Sequence, residues 1–320
     1  MPPESISSKK RVLIGHDDSH QSETAMLYAV ACFFLWGLFP LYFKLLKEIP
    51  SFDIVVHRLF WSFVFLAGVL AWRRQWGWLR QAARQPRVLL GFLASALLLS
   101  GNWTLYVWAV NQGRIVDTSL GYFMSPLISV LLGFLILKER LRALQWLAVL
   151  LALAAVLWLT VANGSLPWIA LVIAGTFGLY GLLRKTAQLG ALEGLSLETL
   201  LMLPLVLLIL GVDTWRDSNS FAHATTGAQV LLALSGPVTA VPLLLFAQAA
   251  RRIALSLLGL LQYISPTLQL LTGVVIYDEA FAGNRAIGFS VIWLALAVYS
   301  AEGLWRFWRA RGQGSSVDVA

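Results

Sequence analysis

Charge is scarce in this sequence. Charged residues fill 12% of its 320 positions, about half of what a soluble domain uses to cover its surface. A body that faces water on all sides is therefore excluded. The 24 Lys and Arg outnumber the 16 Asp and Glu, for a net charge of +8. They fall in separate clusters between apolar runs rather than in one patch, which argues against nucleic acid as a partner. Cysteine occurs once, at Cys32, so no intramolecular disulfide can form. No HExxH, GxSxG, Walker A or GxGxxG motif is present. Hydrolysis, ATP use and dinucleotide binding thus have no visible handle, and no cofactor is expected. His16 and His20 have the i,i+4 spacing of a metal pair but stand in a polar stretch without further ligands, so no metal site is expected. Residues 1–24 lack the apolar core and cleavage site of a signal peptide and are read as a disordered tail.

What the sequence has is apolar length. Hydrophobic residues make up 58% of it, mean hydropathy is +0.74, and runs long enough to cross a hydrocarbon core about 30 Å thick recur. Such runs must be helices or a closed barrel, because lipid offers backbone groups no partner. Their length and lack of strict alternation exclude the barrel. Helices are expected near Met26–Leu46, Ile54–Trp72, Val88–Val110, Thr118–Leu137, Leu144–Ala162, Trp168–Leu183, Leu195–Val212, Val230–Ala250, Ser256–Tyr277 and Ala286–Trp305. With the amino terminus inside, eighteen of the Lys and Arg fall in inner segments, five in outer segments, and Arg58 within a helix. That asymmetry places both termini in the cytoplasm.

An internal repeat then decides the expected architecture. YFMSPLISVLLGFLILKE from Tyr122 lies over QYISPTLQLLTGVVIYDE from Gln262, with Ser125/Ser265, Pro126/Pro266, Leu131/Leu271, Gly133/Gly273, Ile136/Ile276 and Glu139/Glu279 identical. At an offset one residue longer, WGLFPLYFK from Trp36 lies over FGLYGLLRK from Phe177. A duplicated unit of five helices must enter the membrane from opposite sides. The basic Lys138-Glu139-Arg140 accordingly becomes Asp278-Glu279-Ala280 in the second copy, as positive-inside selection requires. The expected fold class is an all-α membrane protein of ten transmembrane helices in two inverted five-helix repeats. Its divisions are a tail at 1–24, repeats at 25–163 and 164–308, and a tail at 309–320. Inverted repeats are a recurrent design of secondary transporters, with the solute near the midplane.

The stretches FLWGLFPLYFKLL, DIVVHRLFWSF, SGNWTLYVWAVNQGRIVDTSLGYFMSPLISVLLGFLILKERL, ETLLMLP and LQYISPTL resemble the EamA family of the drug/metabolite transporter superfamily, and within it the RarD type. The resemblance spans nearly the whole chain apart from the tails. It implies ten helices around a central cavity and a plasma (inner) membrane location. It also implies relatives named for chloramphenicol sensitivity.

Candidate residues on a solute path follow from intramembrane polarity. His57 and Arg58 sit about one turn inside the second helix, as a gate or as residues snorkelling to headgroups. Glu198 is the one acidic residue placed inside a helix away from its ends. It is read as a proton or cation site, or as a structural hydrogen bond. Ser125-Pro126 and Ser265-Pro266 are expected midway along their helices, where a proline frees a carbonyl toward a cavity or only kinks the packing. Asn102, Trp103, Tyr122, Gln248, Gln262 and Tyr263 add polar or stacking contacts. Glu139 and Glu279 are expected to cap or pair at the interface. His57 aligns with Glu198 at the longer offset, so His57 with Arg58 is expected at the outer mouth and Glu198 at the inner. The function expected is a secondary transporter of a small organic solute by alternating access, embedded in the lipid bilayer. Protons and a second copy of the chain are the further partners considered. An intramembrane enzyme or a channel are the alternatives.

Overall fold

The computed structural model describes residues 24–74, 76–138, 140–185, 187–250 and 261–314. The tail with His16 and His20, Glu139, and residues 251–260 at the start of the ninth expected helix lie outside that set. Among the described residues there is no strand. Eight helices are long and apolar enough to cross a membrane, and two shorter apolar helices accompany them. In chain order they are α1 (Thr24–Lys44), α2 (Ser51–Arg73), α3 (Pro86–Asn111), α4 (Ile115–Leu137), α5 (Ala143–Asn163), α6 (Trp168–Lys185), α7 (Ala191–Trp215), α8 (Thr226–Ala250), α9 (Ile264–Leu271, continued by a wider π turn at Thr272–Ile276) and α10 (Asn284–Gly314).

The ends of these helices are written in local chemistry. Pro86 opens α3, where its missing N–H costs nothing. Gly164 (φ 66°) terminates α5 in the left-handed region. Lys138 (φ 55°) and Asp278 (φ 52°) adopt that conformation after α4 and α9, so the two matched helices end on the same backbone turn. The turn after α9 carries Glu279 back onto the start of α4. Its carboxylate accepts from the N–H groups of Ile115 at 2.7 Å and Val116 at 2.8 Å. These are orphan donors at the positive end of the helix, so the expected capping role of Glu279 is what the structure contains.

Packing follows small residues. Ala148, Ala152 and Ala155 of α5 bury against Phe289, Ile292 and Ala295 of α10. Gly236 of α8 lies directly on the backbone of Trp61 and Ser62 in α2, where any Cβ would collide. Close backbone approach of this kind is how helices associate where apolar burial supplies no driving force. The principal pairings are α2 with α7 and α8, α3 with α6 and α7, α4 with α6 and α9, and α5 with α10. At the start of the chain, Ala25, Ala29 and Phe33 of α1 meet Phe246 and Ala249 of α8. Gln269 of α9 donates to the Trp36 carbonyl of α1 at 3.2 Å. These pairings keep their pattern when each helix is exchanged for the one five places along.

One expectation changes. Pro126 sits inside a continuous α4, but Pro266 falls in the first turn of α9, which starts at Ile264 after a turn at Gln262 and Tyr263. Pro266 supplies no N–H, and its ring opposes the carbonyl four residues back, at Gln262. The helix therefore restarts beside that proline instead of running through it.

Replacing Glu279 by Ala strands two helix-terminal donors and should cost about 1–3 kcal/mol, with Gln intermediate because it keeps one acceptor without the charge. Thermal unfolding of the purified protein in detergent checks the order wild type, Gln, Ala. Equal stability of all three would rule out a capping contribution.

Candidate functional site

Two charged side chains expected at opposite ends of a path share one cavity. About 20 Å³ in volume, it is lined by Arg58, Leu59 and Ser62 of α2, Ala96, Leu99 and Ser100 of α3, Leu195, Glu198 and Thr199 of α7, and Thr239, Ala240 and Leu243 of α8. That is room for about one ordered water. The four walls are two helices from each half of the chain.

Glu198 is held by neighbours on several elements. Its Oε1 accepts from Ser95 Oγ of α3 at 2.6 Å and lies 3.7 Å from Arg184 Nη1 of α6. Tyr180, one turn before Arg184, is a further neighbour of the carboxylate. Glu198 Oε2 and Arg184 Nη1 have no hydrogen-bond partner among the described residues, so the ion pair is close but unlatched. Arg184 also lies over the Phe92 ring at 5.3 Å.

Arg58 is 3% exposed. Its guanidinium lies 4.5 Å from the centre of the Trp103 ring, with Tyr122 and Tyr180 nearby. Stacking on an aromatic face returns about 0.5–2 kcal/mol, while removing a cation from water costs several kcal/mol. The ring alone does not offset the burial. His57, its sequence neighbour, points elsewhere: its ring is 5.4 Å from Phe221, within electrostatic reach of Asp53 and Asp213. Ser220 in turn donates to Asp53. A helix of about 3.6 residues per turn sends adjacent side chains about 100° apart. His57 and Arg58 therefore face different surroundings, His57 toward Phe221 and Arg58 toward the cavity.

The remaining candidates divide. Asn102 donates to the Ile173 carbonyl at 3.0 Å and to Thr176 Oγ1 at 2.8 Å, and accepts from the Tyr122 hydroxyl at 3.4 Å. It ties α3 to α6 beside the aromatic cluster of Trp103, Tyr106, Tyr122 and Phe177. Ser125 donates to the Gly121 carbonyl one turn back at 3.0 Å, and Ser265 accepts from Gln269 at 3.3 Å. Ser119 reaches the Pro266 carbonyl at 2.8 Å, so the two Ser-Pro helices touch without lining the cavity. Tyr263 stacks on Phe123 with centroids 6.4 Å apart. Gln248 is exposed near the end of α8, and Gln262 is half-buried in the turn before α9.

Ser95, Tyr180 and Arg184 are absent from the candidates drawn from sequence. Arg184 did carry a signal, since at the longer repeat offset it stands where the first copy has Phe43. A charge replacing an aromatic residue between aligned helices marks a place where the copies have diverged.

Removing Arg184 leaves Glu198 buried without a counter-ion, so Arg184→Gln should destabilise by about 3 kcal/mol. Adding Glu198→Gln should recover most of the loss. Detergent unfolding of the two single variants and the double variant checks this, and strict additivity would show that the two groups do not interact.

The model of the EamA-like transporter family matches residues 23–161. An uncharacterised transporter of Pseudomonas aeruginosa is 47% identical over 277 residues, covering 87% of this chain and 93% of the relative. The protein RarD of Escherichia coli is 39% identical over 288 residues, covering 90% and 97%. A solved crystal structure aligns at a TM-score of 0.55 with 20% identity, over 86% of this chain and 96% of the other, a likeness of fold alone.

Proposed function

The chain belongs to the RarD type of the EamA-like transporter family and is a multi-pass membrane transporter, and from that membership we propose that it is a secondary carrier of a small organic solute working by alternating access. The observation that carries this reading is the cavity between α2, α3, α7 and α8, which gathers the buried charges Arg58 and Glu198 between the two halves of the chain. Intramembrane charges are costly, and they are kept where they face a pathway.

The proposed architecture is ten spans in two inverted repeats, residues 25–163 and 164–308, with both termini in the cytoplasm of a plasma-membrane protein. The helix pairings support it by keeping their pattern under a five-helix exchange. The matched left-handed turns at Lys138 and Asp278 support it as well.

A cavity of about 20 Å³ is far below the roughly 300–1,000 Å³ of a drug-sized site. Solute passage on this reading requires the halves to part on one face at a time. The unlatched Arg184–Glu198 pair suits that motion, since it can exchange its partner for a solute group or a proton without breaking a strong hydrogen bond.

Comparison of metabolites in deletion and overexpression strains identifies the solute, and proteoliposomes then test the carrier. Uptake should saturate and should be stimulated by the same solute preloaded on the far side. Glu198→Gln should lower that flux about tenfold or more, equivalent to about 1.4 kcal/mol of lost coupling, with folded protein retained. Flux that grows linearly with concentration and shows no counterflow would identify a channel instead.

A further inference from the structure

The charges around the cavity do not cancel. Glu198 has Arg184 at 3.7 Å as its counter-ion. Arg58 has neither a carboxylate in ion-pair range nor a hydrogen-bond partner for Nε and Nη2 among the described residues. Among the described residues the site therefore holds two cations to one anion, with the surplus charge on a side chain that is 3% exposed. A burial this costly calls for an anion at some stage of the working cycle.

The unpartnered atoms say which anion. Nε–H and one N–H of Nη2 lie along the same edge of the guanidinium plane, parallel and spaced to meet two oxygens of one group. The guanidinium carbon lies over the Trp103 ring, 4.5 Å from its centre, and the Nε–Nη2 edge is the part left without a partner among the described residues. The rest of the cavity wall is mostly apolar, through Leu59, Ala96, Leu99, Leu195 and Leu243, with the small hydroxyl residues Ser62, Ser100, Thr199 and Thr239 among them. A solute carrying only an amine would meet the surplus positive charge, and the one acidic group there already has Ser95 and Arg184. We infer that Arg58 is the specificity-determining residue of the path and takes the carboxylate of the solute bidentately, so that the transported class is small organic carboxylates with an apolar or aromatic body. This inference rests on the carrier reading above and adds the chemical class of its solute.

The test uses the purified full-length chain, with 3-phenylpropionate, benzoate and acetate as probes. Each is compared with its own amide, and 3-phenylpropylamine and inorganic phosphate complete the panel, all at equal ionic strength. The aromatic carboxylates should raise the unfolding temperature saturably, at concentrations about tenfold below those their amides need. Arg58→Lys should weaken the effect about tenfold, because an ammonium is a point donor without the fork, and Arg58→Met should abolish it. Should the Met variant fail to fold, the Lys variant decides. Amides, the amine or phosphate acting as well as the carboxylates would overturn the proposal. A carboxylate effect unchanged in the Arg58 variants, or no carboxylate effect on the wild type, would do the same. Proteoliposome flux separates this from the broader reading. Saturable counterflow of a neutral or amine solute that ignores Arg58 upholds the carrier and overturns the carboxylate site. Arg58-dependent binding of 3-phenylpropionate without counterflow upholds the site and removes the carrier.

Discussion

Hydrocarbon offers a backbone no water, and the rest of this structure depends on that constraint. Every N–H and C=O in the core must find a partner inside the protein, so the chain is helical wherever it is apolar. Each helix end becomes a place where chemistry must intervene. Pro86 at the start of α3, the left-handed residues Lys138 and Asp278, and the carboxylate of Glu279 on two N–H groups of α4 are solutions to that one problem. Glu279 does more than seal an end, because it follows α9 and caps α4, linking the two halves of the chain.

Inside the same medium, polar groups survive only where they meet one another or a path. Asn102 belongs to the first kind, with partners on α6 and α4 that use its amide on both sides. Arg58 is only partly met: its guanidinium lies over the Trp103 ring, and Nε and Nη2 have no hydrogen-bond partner among the described residues. Glu198 accepts from Ser95 on one oxygen, has Tyr180 as a neighbour, and has no hydrogen-bond partner for the other oxygen among the described residues. The aligned segments differ in charge at this place: Arg184 stands where the first has Phe43, and Glu198 where it has His57. The cavity lies between α2 and α3 on one side and α7 and α8 on the other, and the unequal charges of Arg58 and Glu198 give it a chemistry.

Much of this was legible in the chain. Most helix boundaries follow the apolar runs to within a few residues, because span length is set by the bilayer rather than by partner helices; the start of α9 at Ile264 and the end of α10 at Gly314 do not. Glu279 as a cap was readable from its place after a matched helix. The break before Pro266 was not, since the same Ser-Pro pair sits within a continuous α4. A proline permits an interruption without requiring one, and neighbouring helices decide whether the freed carbonyl stays in line.

By itself the sequence determined that this is a helical membrane protein with a duplicated motif, because hydropathy and repetition are properties of the chain in one dimension. It also singled out His57, Arg58 and Glu198 as groups too polar for lipid. Only the tertiary structure decided that Arg58 and Glu198 share a cavity while His57 turns to Phe221, and that Ser95, Tyr180 and Arg184 join them. Depth along a helix is counted from sequence, but the direction a side chain faces depends on how that helix is rotated against its neighbours. Contacts such as Gly236 on the backbone of α2 set that rotation, and they exist only once the helices have packed.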